Sequence, residues 1–312
     1  MFILSDEKND IANKILKNVC GLSGTQVVRY PNGYCHSVYY VKNEIAAYIL
    51  RVTNEGSKEY YQGALKWLPE LDKIGIPVPA ILEHGQYENV YYTLLSFIAG
   101  TDLGDVYGAL RDAQKKDIAK DIANVQKKIS ALPTNLAYGY TADSQLYETW
   151  IDFLDSQIKR ASERIAQNKI WGIDIIHSLR AKMDFLRAYL KGIQPIAFLG
   201  DITTKNVLIH DGRFSGIIDV DEICYGDPFF VIGLTNMALL AMENDTDYIA
   251  YWLDEMNATE TERKALTFYT LLFCVDFMSE QGMRFENGKS IPINQEKINT
   301  LNAIFAKLCD SL

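Results

Sequence analysis

Soft metal ligands and disulfide partners are scarce in this chain. Its 312 residues include five cysteines and four histidines. Cys20, Cys35, Cys224, Cys274 and Cys309 are odd in number and no two form a C-x-x-C pair. This predicts reduced thiols in the cytoplasm, not a disulfide framework or a zinc site. His36, His84, His177 and His210 are too scattered for a His-rich metal centre. No window reaches the roughly 18 consecutive apolar residues of a membrane span. The start, Met1-Phe2-Ile3-Leu4-Ser5-Asp6-Glu7, turns acidic at once and lacks the basic opening of a signal peptide. Basic residues are in deficit: 31 Lys and Arg face 40 Asp and Glu, a net charge of −9. That balance predicts no nucleic-acid partner and no membrane partner, because both present negative surfaces. It suits a cationic ligand, although many cytosolic proteins are acidic for no specific reason. Internal repeats are absent, which excludes solenoids.

What is present is enough for a substantial core: 48% of the residues are hydrophobic, and the charged fraction is an ordinary 23%. Residues 6–20 read as a short amphipathic helix. Val27-Val28-Arg29-Tyr30, Val38-Tyr39-Tyr40-Val41 and Ala47–Val52 read as three strands joined by short polar loops, an antiparallel meander. Tyr61, Leu65, Leu68 and Leu71 give residues 57–74 a helical rhythm that Gly75-Ile76-Pro77 ends. Strands follow at 80–84 and 90–97, and Ile98-Ala99-Gly100-Thr101 breaks the pattern. Beyond it the chain is mostly helical, at 115–131, 145–168, 173–191 and from 229 onward, with a loop at 284–294. One β-rich island interrupts these helices at 196–220. The expected class is α+β: a small antiparallel lobe with one main helix over residues 1–97, then a larger helical lobe over 98–312.

The island carries the chemistry. Val207–Ile209 and Phe214–Ile218 are apolar strands, and Asp211-Gly212 between them is a tight hairpin signal. Asn206 stands just before the first strand and Asp219 just after the second, at the same open end. Asp201 lies five residues before Asn206, on the loop leading in. Phosphoryl transfer needs this set: a carboxylate to accept the proton of the attacking hydroxyl, and hard oxygens to hold Mg²⁺ against nucleotide phosphates. Any one of the three alone reads as a turn or helix cap. Together on a hairpin they read as Asp201 the base, with Asn206 and Asp219 the metal ligands.

The segment Leu199-Gly200-Asp201-Ile202-Thr203-Thr204-Lys205-Asn206, with Ile218-Asp219 and Gly226-Asp227-Pro228, resembles the H-G-D-x-x-x-x-N, I-D and G-D-P motifs of the aminoglycoside phosphotransferase and choline kinase group. These are small-molecule kinases of the protein kinase-like fold, and the resemblance runs from about Gly33 to Pro228. It implies ATP or GTP as donor and a hydroxyl on a small molecule as acceptor. Gly33-Tyr34-Cys35-His36-Ser37-Val38-Tyr39 looks like the family's nucleotide loop, which brings Gly33, His36 and Ser37 to the phosphates. Leu50-Arg51-Val52 resembles the strand whose basic residue contacts the α- and β-phosphates; the alternative for Arg51 is a plain strand-end arginine. Glu59 stands where a helix glutamate could pair with Arg51, or could simply be solvated. The backbone around Ser96 to Ile98 resembles the hinge that binds the purine edge.

Three positions depart from the family pattern. Leu199 stands where the family has a supporting His, Ser130 replaces a helix-end His, and Val231 replaces the Asp of G-D-P-x-x-D. Asp221 is open between tuning a metal or contacting substrate and being a solvated acidic turn. Glu243, Asp245, Asp247, Asp276 and Glu280 make the C-terminal helices acidic, which places cationic compounds among the candidate acceptors. A nucleotide-binding regulatory protein with little turnover is the alternative reading. A protein kinase is disfavoured, since Asp219-Val220-Asp221 is not D-F-G and no A-P-E segment follows.

Overall fold

The computed structural model describes residues 5–30, 36–142, 145–284 and 290–312, with side chains from residue 10 onward. The chain forms two compact units. The first comprises residues 1–100 together with 215–222, and the second comprises residues 101–214 and 223–312. The class is α+β, as the sequence pattern predicts, and the sheets are antiparallel.

In the first unit, helix α1 (Ser5–Asn18) precedes strands β1 (Gln26–Arg29), β2 (His36–Lys42) and β3 (Ala47–Asn54). Helix α2 (Lys58–Lys73) and strands β4 (Ile81–Tyr87) and β5 (Val90–Ser96) complete it, in the sheet order β1-β2-β3-β5-β4. Strand alternation sorts the side chains by face. Tyr39, Val41, Leu50, Val52, Tyr92 and Leu94 pack against Ala12, Ile15 and Leu16 of α1. Arg51, Thr53, Tyr91 and Thr93 therefore turn to the other face, where Tyr61 of α2 stacks on Tyr91 at 4.8 Å.

The segment Ser215–Glu222 is stitched to this unit at several points. Ser215 Oγ donates to the Ala99 carbonyl at 2.8 Å, and Ile217 N–H donates to the Pro77 carbonyl at 2.9 Å. Gly63, inside α2, lies against the backbone of Asp221: a Cβ there would sit 1.8 Å from the Asp221 carbonyl oxygen. A mid-helix glycine costs about 1 kcal/mol relative to alanine. Here only glycine leaves room for the Asp221 backbone.

In the second unit, β6 (Thr101–Asp102) leads into α3 (Leu103–Val106) and α4 (Asp112–Ser130). Then come β7 (Gly139–Tyr140), α5 (Trp150–Asn168), α6 (Asp174–Phe185), α7 (Arg187–Gly192), β8 (Ile196–Leu199), β9 (Val207–His210) and the start of β10 (Arg213–Ile217). The chain re-enters at β11 (Ile223–Gly226), followed by α8 (Phe229–Ala241), α9 (Asp247–Glu255), α10 (Glu260–Ser279) and α11 (Gln295–Asp310). β9 pairs with β6, and β11 lies between β7 and β8. Apolar spacing puts Ile118, Ile122, Val125 and Ile129 on the buried side of α4.

Two expectations changed. The helix expected over 173–191 breaks at Leu186, with no proline or glycine to mark it. β6, β7 and β11 were not expected, since two residues, or four that are all buried, show no alternation to read.

Aromatic residues form the core of this unit. Trp150 stacks on Phe153 at 4.7 Å, and its indole N–H donates to the Tyr269 hydroxyl at 2.8 Å. The Tyr269 and Tyr189 hydroxyls both donate to Asp227 Oδ2 at 2.7 Å, and the Phe229 N–H donates to Oδ1 at 3.0 Å. This buried carboxylate joins α7, β11, α8 and α10. Burial raises its pKa to about 6, against the three hydrogen bonds.

Two predictions follow from this packing. Gly63→Ala should lower stability by about 2 kcal/mol in urea unfolding, despite its better helix propensity, because the backbone it meets cannot move aside. An equal or higher stability would remove the close approach. For Asp227, the folded pKa lies above the ordinary 3.8, so its favourable contribution is complete only below 3.8 and is lost as pH rises through 6. The advantage of wild type over Asp227→Asn should shrink by about 2 kcal/mol between pH 4 and 7. A difference independent of pH would contradict this.

Candidate active site

The loop after β8 carries two of the three predicted residues of the phosphoryl-transfer set. β8 is buried, and its last residue, Leu199, pairs with Ile223 of β11. Asp201 follows two residues later. Asn206 is buried, and its Nδ2 donates to the Asp201 carbonyl at 2.8 Å while its own N–H donates to the Thr203 carbonyl at 3.0 Å. With Nδ2 turned inward to the loop, Oδ1 is the atom left to accept a cation. Solvent reaches Asp201, yet the surrounding protein desolvates its carboxyl and raises its pKa. Hydrogen bonds from Thr203 and Asn206 and the charge of Lys205 oppose that rise. Asp211 and Gly212 between β9 and β10 have φ of 51° and 72°, the two positive values of a type I′ hairpin turn.

The first unit holds the remaining residues. Arg51 is buried in β3, and its Nη1 donates to Asp221 Oδ1 at 2.8 Å while Nη2 donates to Asp221 Oδ2. Nη2 also reaches Asp219 Oδ1 at 3.1 Å. Asp221 is thus no solvated turn residue but the carboxylate that grips Arg51 with both oxygens. His36 completes the group. Its Nε2 lies 2.8 Å from Asp221 Oδ2 and its Nδ1 2.7 Å from Thr53 Oγ1. Burial and Arg51 lower the His36 pKa, so the ring is neutral, donating from Nε2 to Asp221 and accepting the Thr53 hydroxyl at Nδ1. Burial alone would raise the Asp221 pKa; Arg51 and His36 instead hold it at about 2.

Ligand atoms of His36, Asp219 and Asp221 lie within 4.8 Å of one another. The guanidinium of Arg51 already occupies the Asp221 oxygens, so this trio is an ion-pair network first. Asp219 has an exposed side chain and a φ of 60°, the left-handed region that a non-glycine residue adopts only when its surroundings impose it.

The other predicted residues are placed as follows. Ser37 pairs with Val52 in the β2–β3 ladder. Glu59 is exposed in the first turn of α2. Ser96 closes β5, its Oγ accepting from the Ala80 N–H at 2.8 Å and its own N–H donating to the Ala80 carbonyl at 2.9 Å. Ile98 packs over Gly216, where a Cβ would come within 2.9 Å of it. Gly33 lies outside the described residues. Sequence reasoning left Asp221 undecided and gave Gly63 no role; a glycine inside an amphipathic helix was the available signal.

Among the acidic residues of the C-terminal helices, Asp245 is met by Lys115 at 2.5 Å and by the Tyr107 hydroxyl at 3.0 Å. Asp276 and Glu280 are met by Arg160 and Arg164. The excess of acid over base in this part of the chain therefore does not translate into open anionic sites at these three positions.

Removing Asp221 should strand the Arg51 charge inside the sheet unit. Asp221→Ala is expected to cost about 3 kcal/mol or more in urea unfolding, whereas the paired replacement Arg51→Met with Asp221→Leu should recover most of it. A loss below about 1 kcal/mol for the single variant, the range of exposed pairs, would show that the ion pair is not buried in solution.

Comparison with known proteins bears on what this arrangement is for. Residues 26–265 match the phosphotransferase enzyme family. No curated protein matches the chain in sequence. Solved structures similar to it include the GDP complex of aminoglycoside 2'-phosphotransferase-IIIa, at 15% identity and a TM-score of 0.68, covering 97% of this chain and 99% of that one. The ADP-bound aminoglycoside phosphotransferase APH(2'')-Ib is similar over 99% of both chains, at 12% identity and a TM-score of 0.64. A thermostable mutant of aminoglycoside phosphotransferase APH(4)-Ia, in ternary complex with ADP and hygromycin B, is similar over 95% of both, at 17% identity and a TM-score of 0.62. At such identities the structures speak for the fold, and the family match covers well over half of the chain: it belongs to the phosphotransferase enzyme family.

Proposed function

We propose that the chain transfers the γ-phosphoryl group of ATP or GTP to a hydroxyl of a small molecule, with Asp201 as the base. The observation that carries this reading is the loop from Asp201 to Asn206. Its backbone is pinned by the Asn206 side chain, it presents a carboxyl of raised pKa, and it keeps an amide oxygen for a cation. A base of raised pKa holds a proton better than an ordinary carboxylate, which suits proton acceptance from an alcohol as it attacks.

In the proposed reaction the acceptor hydroxyl oxygen forms a bond to the γ-phosphorus. The bond from that phosphorus to the β-phosphate oxygen breaks, the nucleoside diphosphate leaves, and the hydroxyl proton passes to Asp201. Asn206 and Asp219 offer hard oxygen ligands of the type Mg²⁺ takes, and the bound ion would neutralise charge on the phosphates. Arg51, held in place by Asp221, is assigned to the α- and β-phosphates. By the resemblance Gly33 and Ser37 are assigned to the phosphates and the backbone from Ser96 to Ile98 to the base, while His36 acts through Asp221, to which it is hydrogen-bonded. Glu59 is not needed for Arg51, since Asp221 does that work. The chain's own residues thus act mainly by positioning and by charge complementarity, as phosphoryl transfer requires.

The test is nucleoside diphosphate release with Mg²⁺, ATP or GTP and a panel of hydroxylated acceptors. Asp201→Asn, which keeps shape but not the basic oxygen, should lower turnover by about a thousandfold while the thermal midpoint and nucleotide binding hold. Wild-type turnover in that variant would remove Asp201 as the base.

A further inference from the structure

A second group of charged side chains lies near the catalytic loop of the second unit. Arg160 and Arg164 stand one turn apart on α5, and Asp276 and Glu280 one turn apart at the end of α10. Arg160 Nη2 reaches the two Asp276 oxygens at 3.3 and 3.4 Å. Arg164 Nη1 reaches Asp276 at 3.5 Å and Glu280 at 3.9 Å. A tight charge-assisted hydrogen bond is about 2.8 Å, so both guanidiniums are loosely held. Each spends one terminal nitrogen on these contacts, and the other two nitrogens of each have no acceptor among the described residues.

Two observations tie this group to Asp201. Lys205, four residues along the same loop, is near enough to both Asp201 and Glu280 for its charge to act on each. The strand ladder runs the same way. β8, which leads into Asp201, pairs through Phe198 with Cys224, and Cys224 pairs with Tyr140 of β7, the tyrosine that interacts with Arg160. Two strand spacings are about 10 Å, the scale of a small acceptor molecule.

We infer that Arg160 and Arg164 bind a carboxylate on the acceptor, so that the substrate is a small hydroxylated carboxylic acid and not a polycationic antibiotic. This deepens the proposed phosphotransferase reading and rests on it. The guanidinium fork matches a carboxylate with two parallel hydrogen bonds, a geometry an ammonium cannot use. Beside the loop that carries Asp201 the group sets three cations, Lys205, Arg160 and Arg164, against three carboxyl groups, Asp201, Asp276 and Glu280. Burial and the neighbouring Asp276 raise the Glu280 pKa to about 7, against Arg164, Arg160 and Lys205, so at neutral pH that group is only partly charged and competes less for the arginines. The two guanidiniums would repel an ammonium group placed against them.

Matched acceptor pairs test this with Mg²⁺ and ATP or GTP, reading nucleoside diphosphate release. The pairs are gluconate with sorbitol, glucuronate with glucose, and L-homoserine with 3-aminopropanol; hygromycin B is added as a polycation. At least one carboxylate should exceed its carboxylate-free partner and hygromycin B in kcat/KM by about tenfold or more. Arg164→Lys, which keeps the charge and the fold but loses the fork, should raise the acceptor KM about tenfold with the nucleotide KM as internal control. Turnover of hygromycin B, sorbitol or 3-aminopropanol at equal or higher kcat/KM, or an unchanged acceptor KM in Arg164→Lys, would overturn the carboxylate inference and leave the phosphotransferase reading standing. No release with any acceptor would count against the phosphotransferase reading itself, and the carboxylate inference would fall with it.

Discussion

A guanidinium buried in a five-stranded sheet unit is tolerable only if a carboxylate meets it, and in this chain the carboxylate comes from 170 residues away in sequence. Asp221 takes both terminal nitrogens of Arg51, and His36 braces it from the other side. Much else in the first unit serves this contact. The alternation of β3 puts Arg51 on the face of α2. Gly63 opens that helix to the Asp221 backbone. Ser215 and Ile217 tie the returning segment to the unit before Asp221 is reached. The same grip holds Arg51 beside Asp219, so the proposed phosphate-binding cation and the proposed metal-binding carboxylate are fixed relative to each other by one buried interaction.

How much of this was legible in the sequence depended on the range of the interaction. The meander, α2 and the Asp211-Gly212 hairpin turn follow from local rules: two-residue alternation, helical spacing and a residue pair that accepts positive φ. The spacing of Asp201 and Asn206 is also local, and the hydrogen bond between them confirms that they share one ordered loop. Asp221 was not readable in this way. A carboxylate in an acidic turn has the same sequence signature whether it faces water or a buried arginine 170 positions away. Gly63 was half-readable: its cost inside a helix marks it as unusual, but only the fold shows which backbone it admits. β11 escaped because a strand buried on both faces has no alternation.

The departures from the family pattern acquire physical content in the second unit. Leu199 fills its place by packing, as a fully buried strand residue paired with Ile223. Ser130 receives a hydrogen bond from Gln126 at 2.9 Å, and Gln126 also donates to the Ala197 carbonyl at 3.3 Å, so the end of α4 still holds β8 by polar contacts. Val231 leaves no carboxylate at its position, and Asp227, which the family pattern shares, is held instead by Tyr189 and Tyr269. The strand that leads into Asp201 is therefore held by a leucine and a serine–glutamine pair where the family pattern has histidines.

Net charge and local charge lead to different expectations about the proposed acceptor, and at short range the local pattern weighs more. An overall charge of −9 favours cations at long range, but screening limits that preference to about 8 Å at physiological salt. A bound acceptor responds to the groups within that distance. Asp245 is paired with Lys115 and lies outside the Arg160–Arg164 group, so it does not add to the field there. Asp276 and Glu280 share two arginines whose remaining donors have no acceptor among the described residues, and Lys205 adds a third cation on the loop that carries Asp201. Acidic composition can thus coexist with the proposed acceptor-binding arginines, because Asp276 and Glu280 are themselves engaged by Arg160 and Arg164.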